Sequence, residues 1–318
     1  MPLPEPLSPA ARLPWEAGLA VAPAAPDLPG LSVVIPIYNA GAFLEKTLRS
    51  LMCSDLAGVE LIVMDGGSTD TTAAILEHYR DILAVAVSEP DHGQSDAINK
   101  GFARATQPIL YWLNGDDLIL PGALTAVREV FRDHPGTQVV VGDASLTEAD
   151  LTPIRQFRFS PRTLSFEHLL DYATNHLVQP GVFFTRTAWD AAGPVQRDLH
   201  YAMDADLFLG MAARFAFRHL PREIAFSVYH EACKTRGKRA ESITELALVQ
   251  ARHGGLAQAR RTLDILVGLY NDAEARAAAP AAAPTSAQTV LEHRLRAVEE
   301  EVEKNRALLI DLDMQMTQ

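Results

Sequence analysis

Apolar and polar positions along the first half of the chain fall into blocks whose period keeps changing. Leu31–Ile37 is a nearly continuous aliphatic run, the pattern of a strand covered on both faces. Behind it, Phe43, Leu44, Leu48 and Leu51 recur at helical spacing within Gly41–Met52. The exchange then repeats. A strand over Val59–Met64 precedes a helix from Thr71 to Tyr79, and a strand over Ile82–Val87 precedes a helix over Gln94–Ala105. A strand over Ile109–Leu113, a helix over Pro121–Phe131 and a strand over Gln138–Val141 follow. Short apolar strands alternating with such helices predict βαβ units, hence an α/β fold with one Rossmann-like, mostly parallel sheet. After Gly142 the alternation weakens. Phe157–Phe166 is aromatic and basic, Asp204–Phe215 has helical spacing, and Glu223–Tyr229 reads as a strand. Thr244–Tyr270 reads as helix with a pause at Gly254-Gly255.

The two ends have other patterns. Residues 1–30 hold eight prolines and many alanines, which predicts an extended tail. The main domain is expected over 31–235, a helical extension over 236–272 and an Ala- and Pro-rich linker over 273–288. Within 289–318, Leu291, Leu295, Val298, Val302, Asn305, Leu309, Leu312 and Met316 alternate spacings of four and three. That is a heptad seam with one polar member, Asn305. It predicts a coiled-coil helix, and through it a homo-oligomer or a partner protein.

Composition removes several classes of function. The net charge of −12 disfavours nucleic acid and anionic membrane as broad partners. Cys53 and Cys233 are the only cysteines, too few for a disulfide framework, so a reducing compartment is expected. No apolar run approaches the roughly 20 residues that span a bilayer. No charged segment followed by an apolar core opens the chain. The expectation is a cytoplasmic protein, which would need a partner or a surface contact at the inner face of the membrane to reach any lipid-linked material.

Candidate chemistry sits at strand ends. The first strand ends in Pro36-Ile37-Tyr38-Asn39, the second in Asp65-Gly66-Gly67-Ser68-Thr69-Asp70, and the fourth in Asn114-Gly115-Asp116-Asp117. Open α/β sheets bind ligands at the carboxyl ends of their strands. An acid such as Asp65 can accept from a ribose hydroxyl or a base N–H there. Adjacent carboxylates suit a hard divalent cation carrying phosphate. The chain has no G-x-G-x-x-G after its first strand and no glycine-rich loop ending in Lys-Ser or Lys-Thr. A metal is therefore the remaining way to hold a diphosphate. The segment between Ser88 and Gly101 is too polar for an ordinary loop-to-helix junction.

Five motifs in this order carry a resemblance: Val33-Val34-Ile35-Pro36-Ile37-Tyr38-Asn39, Val63-Met64-Asp65-Gly66-Gly67-Ser68-Thr69-Asp70, Asp96-Ala97-Ile98-Asn99-Lys100-Gly101, Asn114-Gly115-Asp116-Asp117 and Met203-Asp204-Ala205-Asp206-Leu207. Over about Leu31 to His230 the chain resembles the family-2 inverting nucleotide-sugar glycosyltransferases, with their A-type fold. The resemblance implies transfer of a sugar from a nucleotide-diphosphate donor to an acceptor hydroxyl on a glycan, a lipid-linked or a protein acceptor. Bacterial surface polysaccharide is the family's commonest setting. It also implies roles. Asp65 recognises the base or ribose, with Pro36, Tyr38 and Asn39 completing that pocket and Asp96 and Lys100 alongside. Asn114-Gly115-Asp116 matches the DxD element, Asp116 holds Mg²⁺ or Mn²⁺, and His230 joins the metal or diphosphate. Asp204 is the general base.

Three departures qualify the match. Asn114 replaces the first acid of the DxD element. Met203 replaces the Glu that usually precedes the base, which makes Asp206 a rival for that role. Ile98 stands where many relatives carry Arg, leaving charge neutralisation to Lys100 or to the run Lys234-Thr235-Arg236-Gly237-Lys238-Arg239, which reads as a lid. Trp112 and Tyr111 read as core, as does Trp189. His176 and Gln179 are candidate sugar contacts. Two other functions compete: a non-catalytic scaffold that assembles partners through its coiled coil, and a nucleotidyltransferase.

Overall fold

The computed structural model describes residues 3–19, 21, 25, 27–234 and 237–278. Two compact units divide the chain, 1–233 and 234–318. The heptad segment 289–318 lies outside the described residues, as do Thr235 and Arg236 of the basic run.

The first unit is built on a single sheet of nine strands among the described residues. They are β1 (Leu31–Ile37), β2 (Val59–Asp65), β3 (Val85–Ser88), β4 (Ile109–Trp112), β5 (Leu118–Ile119), β6 (Val139–Glu148), β7 (Pro153–Phe157), β8 (Val182–Thr185) and β9 (Phe217–Tyr229). Their order is β3-β2-β1-β4-β8-β6-β9-β5, with β7 beside β6. The first four are parallel neighbours. β8 runs antiparallel between β4 and β6, and β9 is again parallel to β6. The expected mostly parallel α/β sheet is thus present, curled at its far side by the short antiparallel pieces.

Burial explains which strands stand out as apolar runs. Every residue of β1 is buried, because helices cover both faces of a central parallel strand. β3, at the edge, alternates half-buried and exposed positions. The helix Leu44–Met52 buries Leu44, Leu48 and Leu51 completely, in the same core cluster as residues of β1 and β2. Pro36 sits inside β1 without breaking the sheet. Pairing with β4 ends at Val34–Trp112, so the missing donor falls where that side of β1 has no further partner.

Three features differ from the sequence expectations. β6 continues through Gly142 to Glu148, and β9 follows it by two irregularities, which leave Pro221 and Arg222 and then Ile224 out of the pairing. The described part of residues 1–30 packs on the body and does not extend away as a tail. Ala11 and Leu13 are buried, Leu13 joins Leu118 and Val228 in a small cluster, and Trp15 meets Phe226 edge to face. Glu16 pairs with Arg49, whose side chain is 1% exposed. In the second unit, the helices Arg239–Arg252 and Leu256–Ala278 form a hairpin held by Ala247, Ala251 and Ala259. The second helix runs six residues beyond the boundary of 272 expected for it. Gly254, at a φ of +84°, makes the turn between them.

Candidate active site

Parallel register brings the loops after β1, β2 and β4 to one edge. Ile37 lies opposite Asp65, and Leu113 donates its amide to Val34 O as β4 leaves the sheet. The first two loops are then tied together. The Asn39 amide donates to Ser68 Oγ at 2.7 Å, and Asn39 Oδ1 accepts from the Thr69 amide at 2.9 Å. Asn39 takes a φ of +49°, a left-handed conformation that Asn tolerates. Asp65 is nearly buried and accepts from Ser68 N and Oγ and from Ser88 Oγ. Asp91 crowds Gly66 so closely that a Cβ there would sit 2.8 Å from its carboxylate. Tyr38 is 67% exposed, an open ring face beside this edge.

The turn Asn114–Asp117 carries the chain from β4 across to β5, which pairs antiparallel with β9 through Leu118–Phe226 and Ile119–Ala225. Continued two residues further, that register puts Asp116 beside Val228 and close to His230. The contacts agree. Asp117 Oδ1 accepts from the Val228 amide at 3.0 Å, and His230 Nε2 lies 3.0 Å from Asp116 Oδ2. Phe43, at the start of the helix after β1, stacks on the His230 ring at 3.8 Å. Asp116 is about one-third exposed and His230 is buried. Asp117 is enclosed, and burial together with the neighbouring Asp116 charge holds its carboxyl above the usual range.

Asn114 is engaged by the protein on every side. Its Oδ1 accepts from Trp112 Nε1 at 2.7 Å and Gln94 Nε2 at 2.9 Å. Its Nδ2 donates to Asp117 at 3.0 Å and Gln179 at 3.1 Å. Gln179 also donates to Trp112 O at 2.6 Å. The amide therefore shapes the turn that presents Asp116. Gly115 lets that turn approach β1: a Cβ there would lie 2.5 Å from Ile37 Cγ2.

The helix Gln94–Arg104 links this edge to Asp204. Its Asn99 exchanges two hydrogen bonds with the Val195 backbone, and Ser95 donates to Leu199 O. The helix Met203–Ala212 follows, with Asp204 in its first turn. Burial pushes the Asp204 carboxyl up to about 6, although the Ala205 amide at 2.8 Å favours its charged form. Tyr172 is buried beside it, and its hydroxyl is raised by burial and by the Asp204 charge. Asp96 pairs with Lys100 at 3.1 Å and Arg197 at 2.6 Å. Burial opposes its charge, but Lys100, the His92 amide and Arg197 outweigh that, so its carboxyl stays low. Lys100 also pairs with Glu89 at 3.1 Å, while Ile98 is fully buried core.

Asp117, read from sequence beside Asp116 as a carboxylate suited to a cation, is instead buried and held by the Val228 amide and Asn114. Arg197, Phe43 and Cys233 were not among the candidates read from sequence, and no motif marks them. His176 packs between Phe157 and Tyr172, and Trp189 against Phe102 and Phe184.

Residues 32–190, half of the chain, match the model for glycosyl transferase family 2. The chain belongs to that family. Among its relatives, a Bacillus subtilis glycosyltransferase named for teichuronic acid biosynthesis is 30% identical over 145 residues, 45% of this chain and 57% of the relative. A Mycobacterium bovis PGL/p-HBAD biosynthesis glycosyltransferase is 28% identical over 182 residues, 56% of this chain and 67% of that one. Two solved structures share the fold. The mannosyltransferase PcManGT of Pyrobaculum calidifontis, in complex with GDP-Man and Mn²⁺, superposes with a TM-score of 0.58 at 20% identity, covering 93% of this chain and 89% of its own. Staphylococcus aureus TarS 1-349 in complex with UDP-GlcNAc gives 0.52 at 17% identity, covering 69% and 66%. This family-2 chain thus has the A-type glycosyltransferase fold. Among its described residues no helix is long and apolar enough to cross a membrane.

Proposed function

We propose that the chain is a metal-dependent, inverting glycosyltransferase that moves a sugar from a nucleotide-diphosphate donor to an acceptor hydroxyl in surface polysaccharide or glycoconjugate synthesis. The observation that carries this reading is the Asp116–His230 pair, set on the same sheet edge as Asp65. A carboxylate and an imidazole 3.0 Å apart, one partly open to solvent, form a donor set that fits a divalent cation. The imidazole favours Mn²⁺ over the harder Mg²⁺. When bound, the cation offsets the negative charge that develops on the leaving diphosphate.

The chain's own groups do the rest. Asp65 accepts from the nucleoside, its orientation locked by Ser68 and Ser88. Tyr38 offers its exposed ring to the base, and Asn39 fixes the loop beneath it. Arg197, paired with Asp96 and 61% exposed, supplies positive charge at the head of the Gln94–Arg104 helix. Asp204 takes the acceptor proton. A positioned carboxylate typically contributes about 10²–10⁴-fold in this way, and at about 6 its pKa is closer to neutrality than an ordinary carboxylate's. Attack from the Asp204 side as the diphosphate departs on the other inverts the anomeric centre.

The test is a panel of nucleotide sugars with Mn²⁺ and simple glycoside acceptors, with the anomer followed by NMR. The expected product has inverted configuration and its partner product is a nucleoside diphosphate. A retained anomer would reject the single displacement. Pyrophosphate release would place the chain with nucleotidyltransferases. Asp204→Asn is expected to bind donor normally and to lose turnover by at least about 10²-fold; normal turnover in that variant, with Asp206→Asn inactive, would move the base to Asp206.

A further inference from the structure

The Asp116–His230 pair has a third neighbour of different chemistry. Cys233 lies three residues beyond His230, and its sulfur, a ring nitrogen of His230 and a carboxylate oxygen of Asp116 all lie within 4.8 Å of one another. The chain between them is a tight turn, closed by the Cys233 amide donating to His230 O at 3.1 Å. The sulfur is itself held, accepting from the His230 amide at 3.2 Å and reaching Val228 O at 3.5 Å. His230 is only 8% exposed, and its Nδ1 has no hydrogen-bond partner among the described residues. Buried polar nitrogens nearly always find a partner. The other ring nitrogen, Nε2, faces Asp116 at 3.0 Å, and a carboxylate, an imidazole and a thiol gathered this closely are the donor set of a cation site.

We propose that Cys233 is a third protein ligand of the divalent cation, a thiolate beside the Asp116 carboxylate and the His230 imidazole. This rests on the reading of Asp116 and His230 as the cation's seat. The thiol proton passes to solvent as the sulfur–metal bond forms. A thiolate changes what the site selects. Hard Mg²⁺ gains little from sulfur, whereas Co²⁺, Zn²⁺ and Cd²⁺ gain much. Asp116, His230 and Cys233 together would hold Zn²⁺ more tightly than Mg²⁺.

The experiment is a titration of the full, chelator-stripped chain with Co²⁺, followed by near-ultraviolet absorption and by calorimetry. A thiolate-to-Co²⁺ charge-transfer band saturating at one ion per chain is expected. Cys233→Ser and Cys233→Ala are expected to lose the band and to bind Co²⁺ at least about tenfold more weakly. Their Mg²⁺ affinity is expected to change less than about twofold. Cys53→Ser, which alters the only other thiol, is expected to keep the band. Circular dichroism of each variant checks the fold, and two different replacements guard against one that fails to fold. Co²⁺ binding to the wild-type chain without the band would overturn the thiolate ligand and leave the Asp116–His230 site standing. A band that survives in both Cys233 variants would overturn it as well. Failure to bind either Co²⁺ or Mn²⁺ would instead reject the cation site as a whole.

Discussion

Burial raises the Asp204 carboxyl from an ordinary 3.8 to about 6, and the sign of that shift has consequences for both rate and stability. A raised carboxylate pKa means that the folded state resists the charge. Asp204 therefore adds no penalty below about pH 4, where it is neutral folded or unfolded, and its ionisation costs stability as pH rises to about 6 and beyond. Roughly two pKa units at 1.36 kcal/mol each bound the cost at about 3 kcal/mol. Asp204→Asn is expected to stabilise the protein by about 1–3 kcal/mol at pH 7.5, with the gain vanishing near pH 4, as read by urea unfolding at the two pH values. The same group makes the turnover of the wild-type enzyme fall on the acid side with a midpoint near 6. A rate flat from pH 5 to 8 would remove Asp204 as the base. Asn114 gives a second residue-level test. Its Nδ2 donates to Asp117, whose charge is already disfavoured by burial and by Asp116. Asn114→Asp would complete a DxD motif on paper, but it swaps that donor for a second negative charge. A loss of about 2–4 kcal/mol of stability is expected in urea denaturation; a fully stable variant would show that Asn114 does not hold the turn.

Among the elements, the segment from Leu3 to Leu19 acts as a strap. It joins the helix Leu44–Met52, through Glu16–Arg49 and through the Leu7 and Ser8 amides on Glu45, to β5 and β9, through Leu13 and Trp15. Asp117 directly precedes β5 and His230 directly follows β9. Glu16→Ala leaves Arg49 charged and enclosed, which costs about 3–5 kcal/mol when a buried partner is removed. The double variant Glu16→Leu with Arg49→Met removes both charges and is expected to recover most of that loss in thermal unfolding; no loss in the single variant would contradict the strap. None of this was legible in the sequence. Prolines and alanines in residues 1–30 mimic an unstructured tail, and the ion pair that orders them spans 33 positions. β1, β2 and β4 were readable because strands covered on both faces write themselves as apolar runs. β5 has two residues and β7 is mostly exposed, so neither leaves a period to detect. Asp65, Asp116 and Asp204 stood out as acids after apolar runs or within a family motif. The partners of Asn114 come from Gln94 and Gln179, far apart in the chain, and no local pattern announces them.

For the whole molecule, the features legible in sequence and those seen in structure meet at one sheet edge, where loops after β1, β2 and β4 gather around Asp65 and Asp116. The heptad spacing in 289–318 lies outside the described residues, and its consequence is testable on the intact chain. Light scattering of the full chain is expected to give an oligomer, and of a chain ending at 288 a monomer; equal masses would remove the heptads as the cause. The central claim is that a cation seated on Asp116 and His230 holds a nucleoside diphosphate at this edge. Calorimetric titration of UDP and GDP, with Mn²⁺ and then with EDTA, tests it most directly. At least one of the two is expected to bind with Mn²⁺, to lose binding in EDTA, and to bind Asp116→Ala at least about tenfold more weakly. Equal affinity in all three conditions would contradict the claim.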